Sequence, residues 1–266
     1  MKWSESTTLQ TGVRALIAGC LISLWLALPA HATPSTQIWI PSPDVQPFLV
    51  GHIGVDNYFR KSHNDAGDRD PNILEVGLTV GLLPFEKLQL EIGGDYLTSA
   101  GNPNDRYPWS GNAKLGIREE ALFPFSPALA GGIYNTGKAR KATDGNLSFV
   151  RSGQNIVYGL TAKTIPGPGF SLGRFSGGYY HGSKKALAPD NKGLLLSWDR
   201  TVSELSEKLW IAADYMGGEN VNGALSFGAA WRFNRNVSLL FGYDKFRKRE
   251  LSGEDTFTIQ LDLDFP

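Results

Sequence analysis

A chain of 266 residues with 26 basic and 26 acidic side chains carries no formal charge at neutral pH, so it has no electrostatic footprint for nucleic acid. Glycine (31), proline (15) and 11% aromatic residues punctuate many short segments, and no stretch of the body holds a helical period. A single cysteine, Cys20, rules out an internal disulfide framework and a cysteine-ligated metal.

In chain order, Lys2 and Arg14 precede an apolar run from Ala15 to Leu28, and Ala30-His31-Ala32 then places small residues where a signal peptidase needs them. The run is short for a membrane-spanning helix, which needs about 20 residues. We expect a cleaved signal peptide, residues 1–32, and a mature chain from Thr33. Ile17-Ala18-Gly19-Cys20 has the form of a lipoprotein box, but most of the apolar core follows Cys20 instead of ending at it. Lys2, Arg14 and Glu5 leave with the signal, so 26 basic and 26 acidic residues become 24 and 25. Residues 33–47 read as an N-terminal extension, and 48–266 as one domain.

That domain reads as strands. The expected strands are Phe48 to Arg60, Leu74 to Leu82, Leu88 to Tyr96, Ala113 to Ile117, Leu129 to Thr136 and Gln154 to Thr164. Ser171 to Tyr180, Gly193 to Arg200, Leu209 to Met216, Ala224 to Phe233, Val237 to Lys245 and Thr256 to Phe265 complete the set. In the second, Leu74, Val76, Leu78 and Val80 alternate with Glu75, Gly77 and Thr79, the two-residue period of a strand with unlike faces. The connections mostly alternate between short ones, such as Leu83 to Lys87 and Asn234 to Asn236, and long ones, such as Ser99 to Gly111 and Gly137 to Gly153. An even strand count with alternating short turns and long loops is the pattern of a membrane barrel with both chain ends at the short-turn side. No window of the mature chain is long and apolar enough to be a spanning helix, so membrane residence requires a closed barrel.

The last strand is the most regular. Phe257, Ile259, Leu261, Leu263 and Phe265 fall on one face, and Thr258, Gln260, Asp262 and Asp264 on the other. This stretch resembles the closing strand of bacterial outer-membrane β-barrels, which ends in an aromatic residue; Phe265 holds that place and Pro266 follows it. Gln37-Ile38-Trp39-Ile40-Pro41-Ser42, Leu196-Ser197-Trp198-Asp199-Arg200 and Phe241-Gly242-Tyr243-Asp244 are similar to a group of uncharacterised bacterial envelope proteins of the same layout. The expected fold is therefore all-β, a transmembrane antiparallel up-and-down barrel of about 12 strands, in the outer membrane of a Gram-negative bacterium. Its expected partners are outer-membrane lipid, lipopolysaccharide and the barrel-assembly machinery; homo-oligomerisation is left open.

Charged strand residues fall on the face assigned to the lumen: Glu75, Glu91, Asp95, Lys114, Arg118, Lys163, Arg174, Asp199, Asp214, Arg232 and Asp244, with Asp262 and Asp264. A basic group held against lipid at the midplane would cost roughly 2–4 kcal/mol, so these residues are expected to line a wet lumen. Two outcomes are open there. If they border a water path, reversing Lys114 and Arg118 shifts ion preference and leaves stability almost unchanged. If they pair across a closed lumen, losing one partner costs roughly 3–5 kcal/mol. Aromatic residues gather near strand ends, among them Phe59, Tyr96, Tyr179, Trp231 and Tyr243, as in an interfacial girdle.

Candidate chemistry is sparse. His181-Gly182-Ser183 followed by Ser197-Trp198-Asp199-Arg200 is faintly similar to the outer-membrane phospholipase A family, which implies a His181 and Ser183 catalytic pair. Lys184 and Lys185 depart from that pattern, and no orienting residue for His181 stands upstream. His52, His63 and His181 are too widely spaced for a metal pattern, and no cofactor is expected. Gly167-Pro168-Gly169 is a turn. The basic run Lys245, Arg247, Lys248 and Arg249 could meet lipopolysaccharide phosphates. The reading favoured is a porin-like passive channel for small polar solutes or ions. Its alternatives are an outer-membrane enzyme of the phospholipase or esterase type, or a structural or adhesive barrel.

Overall fold

The computed structural model describes residues 35–63, 67–68, 70–99, 108–139, 153–168 and 170–266. The expected signal peptide and residues 100–107 and 140–152 of two expected loops lie outside the described residues. The strands are β1 (Gly51–Arg60), β2 (Ile73–Gly81), β3 (Leu88–Ser99), β4 (Trp109–Ile117), β5 (Ala128–Thr136) and β6 (Ile156–Pro166). They continue with β7 (Ser171–His181), β8 (Lys192–Thr201), β9 (Leu209–Met216), β10 (Ala224–Arg232), β11 (Val237–Phe246) and β12 (Thr256–Phe265). A single-turn helix, α1 (Arg249–Ser252), precedes the last strand. Each strand pairs antiparallel with its sequence neighbours, and β1 pairs with β12 from Gly51↔Phe265 to Arg60↔Thr256, so the sheet closes on itself. Among the described residues each of the twelve strands has a partner on both sides, so closure removes the free edges of the sheet.

The two faces of the wall differ as alternation requires. On β12, Thr256, Thr258, Gln260 and Asp264 are buried in the interior, whereas Phe257 and Phe265 are exposed outside. Register carries the outer face from strand to strand. Phe59 opposes Phe257, Phe257 opposes Tyr243, and Tyr243 opposes Phe227, giving one aromatic row across β1, β12, β11 and β10. Further round the wall, Leu78, Ile92, Leu115, Val157, Phe175, Leu194 and Phe241 are all exposed. Apolar outside and polar inside is the reverse of a water-soluble barrel.

The first strand begins three residues later than the expected Phe48. Leu49 takes a left-handed backbone (φ 58°), which an extended strand cannot contain. Its amide donates to the Gly81 carbonyl at 2.9 Å, at the short-turn rim of the barrel. Upstream of that turn, the extension does not hang outside. Residues 35–47 run into the lumen.

Candidate functional site in the lumen

Inside the barrel, residues 35–42 fold into a narrow hairpin. The Gln37 amide donates to the Ile40 carbonyl at 2.8 Å and the Ser42 amide to the Ser35 carbonyl at 3.1 Å. Proline at positions 41, 43 and 47 removes backbone donors that would otherwise need partners in a confined space. The tip is held from above and below. Asp214 Oδ2 on β9 accepts the amides of Ile38 (2.8 Å), Trp39 (2.9 Å) and Ile40 (3.4 Å), and Gln260 Nε2 on β12 donates to the Ile38 carbonyl at 2.8 Å. Trp39 Nε1 donates to the Asn222 carbonyl at 2.8 Å, and its ring meets Tyr58 and Phe246 edge-on.

The stem is held by charge. Lys114 Nζ on β4 lies 3.0 Å from Glu91 Oε1 and donates to the carbonyls of Ser35 (3.0 Å), Ser42 (3.4 Å) and Asp44 (2.5 Å). Glu91 Oε2 in turn accepts the Gln46 amide at 2.8 Å. Arg174 on β7 bridges Asp44 (2.8 Å) and Asp199 (3.1 Å), and Gln37 Nε2 donates to the same Asp199 oxygen at 3.0 Å. A charge taken from water needs partners on every side; here Lys114 and Glu91 find them in each other and in the backbone of residues 35–46, and Arg174 in two carboxylates.

The wall is carved to receive it. A Cβ on Gly228 would sit 3.1 Å from Ile38 Cδ1, one on Gly242 3.2 Å from Ile38 Cγ2, and one on Gly116 2.5 Å from Val45 Cγ2. Ile38 then packs with Ala212 and Leu240, and Ile40 with Ile156, Tyr158, Leu160, Tyr180, Leu187, Leu195 and Met216. That second cluster lies toward the long-loop end of the lumen, where Gln154 and Asn222 also exchange side-chain hydrogen bonds of 3.2 and 2.7 Å.

Cavities border the hairpin. One, about 190 Å³, is bordered by Asp56, Glu75, Asp95, Trp39 and Tyr58. Asp56 opposes Glu75 in register, and Asp95 accepts both hydrogen bonds of the Asn112 amide group (2.8 and 3.0 Å). Among the described residues none of these three carboxylates makes an ion pair. A second cavity, about 410 Å³, opens toward the short-turn end between Arg174, Arg232, Lys208, Trp210 and Asp199. Asp262 borders both. It accepts Ser238 Oγ at 3.0 Å and lies 3.5 Å from His52 Nε2, while His52 Nδ1 lies 2.8 Å from Asp264. The chain is a closed β-barrel plugged by its own N-terminal segment.

The residues expected in the lumen divide accordingly. Glu91, Lys114, Arg174, Asp199 and Asp214 hold the hairpin; Glu75 and Asp95 face the smaller cavity and Arg232 the larger. Asp244 is buried and accepts Thr256 Oγ1 at 2.9 Å. Arg118 stands at the short-turn mouth, its Nε 3.1 Å from Gln89 Oε1. Lys163 is a correction. It opposes Phe175 on the outer wall and pairs with Glu119 (2.8 Å) and Glu120 (3.3 Å) of the β4–β5 turn. The inner face of β6 is Ile156, Tyr158, Leu160 and Ala162, the first three in one apolar cluster with Ile40, so alternation leaves Lys163 on the outer face with Val157 and Ile165.

The charge run after β11 also divides, since Lys248 lies near Glu219 and Glu250, and Arg249 pairs with Asp255. His181 and Ser183 stand at the long-loop end of β7. His181 Nε2 is 3.2 Å from Asn191 Nδ2, which also donates to the Gly182 carbonyl at 2.7 Å. That second bond fixes Nδ2 as the donor, so the Nε2 lone pair a general base would use is engaged. The Ser183 carbonyl accepts the amides of Ala186 and Leu187.

No protein-family model matches the chain, and neither does any curated protein. Among solved structures the barrel is similar to an outer membrane channel from Pseudomonas putida F1, at 14% identity over 84% of this chain and 97% of that one, with a TM-score of 0.47. It is also similar to Salmonella typhi OmpF in complex with daunomycin, at 10% identity over 82% of this chain and 97% of that one, with a TM-score of 0.39.

Proposed function

We propose that this barrel lies in the outer membrane of a Gram-negative bacterium, long loops outward, as a porin-like channel that prefers small cations and polar solutes and that its own hairpin closes. The observation that carries the reading is the position of Asp262 between the two cavities. With the hairpin withdrawn, the acidic chamber of Asp56, Glu75 and Asp95, the neck at Asp262 and the larger cavity at the short-turn end form one path through a low-dielectric wall. In such a path a few fixed charges set ion preference. Carboxylates dominate the chamber and the neck, so cations are favoured. The apolar outer face supports the membrane setting, since lipid tolerates such a face better than water does.

The test is the reversal potential of open events in planar bilayers under a salt gradient. Asp262→Asn should move it toward the non-selective value while single-channel conductance stays within about a factor of two, because the substitution keeps the shape of the neck and removes its charge. An unchanged reversal potential would remove Asp262 from the path.

A further inference from the structure

We infer that the long-loop rim of the barrel carries a lipopolysaccharide site on its outer wall, built from Lys61, Lys245 and Arg247 above the aromatic row of β1, β12, β11 and β10. This rests on the membrane setting proposed above. The register places the three cations together. Lys245 opposes Leu225, and Leu225 opposes Tyr215, one outward step beyond the row of Phe59, Phe257, Tyr243 and Phe227. Lys61 continues β1 past the same row, its amide donating to the Asp255 carbonyl at 2.9 Å. Each flanking cation lies over a tyrosine: Lys61 Nζ is 5.7 Å from the Tyr243 ring centre and Arg247 Cζ 5.8 Å from that of Tyr215, and Arg247 Nη1 donates to Tyr215 Oη at 2.7 Å.

The neighbouring carboxylates are already engaged. Asp255 accepts Tyr243 Oη, the Phe246 amide and Arg249, and Glu254 lies 3.6 Å from Arg249 and accepts Ser62 Oγ. Lys61, Lys245 and Arg247 are exposed, and among the described residues none of them makes an ion pair. Three unneutralised cations directly above an exposed aromatic row match an amphiphile whose phosphates sit at the depth where its acyl chains begin. Lipid A is that amphiphile in an outer leaflet: its two phosphates would meet the cations and its chains would lie along Phe59, Phe257 and Phe227. A basic residue next to an anionic lipid surface contributes about fivefold in binding, so three contribute on the order of a hundredfold.

The experiment compares the detergent-purified full barrel with its Lys61→Gln/Lys245→Gln/Arg247→Gln variant, titrating each with bisphosphorylated and dephosphorylated lipid A and counting bound lipid by native mass spectrometry. Expected are tight binding of the phosphorylated form to the unaltered barrel and roughly hundredfold weaker binding to the variant, with Lys184→Gln/Lys185→Gln unchanged from the unaltered barrel. Equal binding by the triple variant, equal binding of dephosphorylated lipid A, or no binding at all would overturn the site. Fractionation and heat-modifiable gel migration are recorded for every protein. A chain that folds as a barrel in the outer membrane yet binds no lipid A refutes this inference alone, whereas a chain absent from that membrane refutes the setting itself.

Discussion

Replacing Lys114 with methionine isolates the energetic role of the hairpin stem. The ammonium lies 3.0 Å from Glu91 and also serves three hairpin carbonyls, and both Lys114 and Glu91 are 3% exposed. Methionine fills much of the same volume and removes the charge. Glu91 then keeps only the Gln46 amide, and an unpaired buried charge costs roughly 3–5 kcal/mol. The three carbonyls lose a shared donor, each loss worth about 1 kcal/mol at most because they can turn toward water in the neighbouring cavity. The combined expectation is a loss of about 4–6 kcal/mol at neutral pH, read as a lower urea midpoint for the refolded barrel in detergent with tryptophan fluorescence as probe. Glu91→Gln in the same background removes the stranded charge and should restore roughly half, so the coupling in the double-mutant cycle should be at least about 2–3 kcal/mol, larger by whatever Glu91→Gln alone costs. A loss below about 1 kcal/mol with no coupling would refute the claim that this pair anchors the hairpin. The larger loss would be the cost of breaking a buried pair, here between the neighbouring strands β3 and β4 and not across the lumen.

Two further predictions concern the wall and the turn. Gly228→Val puts branched carbons where a Cβ alone would already be 3.1 Å from Ile38, so the tip should leave its pocket: open-channel events in planar bilayers should rise several-fold while the barrel still migrates as a heat-modifiable species. Glu119 sits in the β4–β5 turn outside the spanning wall. Partial burial pushes its carboxyl up, but hydrogen bonds from Lys163 and from the Thr164 amide (2.9 Å) and hydroxyl (2.8 Å) outweigh that and hold it below its ordinary value. A depressed carboxylate stabilises above its unfolded pKa, near 4.3, and loses that contribution as pH falls through its lower folded value. Glu119→Gln should therefore cost about 1 kcal/mol at pH 7 and nothing by about pH 3, measured as the difference in urea midpoint; a gap that persists at pH 3 would contradict this sign.

The wall of this barrel was legible because a strand between two unlike solvents advertises both. Thr256 to Phe265 alternates without a fault, and the spacing of short and long connections orders the neighbours. Lys163 was misread for a physical reason. Near the hairpin tip the interior is apolar, so β6 carries apolar residues on both faces and the rule that polar residues face the lumen fails there. The hairpin itself was hidden because a plug without a strand period leaves no alternation; its traces were Pro41, Pro43 and Pro47 on one side and the inward glycines 116, 228 and 242 on the other. Glycine on the inner face of a strand marks a close approach, but what approaches Gly228 lies 190 residues away in the chain, which no local pattern reports. Asp214 read as a lumen charge, and only the fold shows that it holds three backbone amides.

The central claim is that the lumen conducts when the hairpin leaves it. Single-channel recording in planar bilayers should therefore compare the intact barrel with one lacking residues 35–46, each first shown by heat-modifiable migration to be folded. The account predicts rare, brief openings for the intact protein and a steady cation-preferring conductance for the truncated one. A folded truncated barrel that stays silent would contradict it and leave the protein a structural platform.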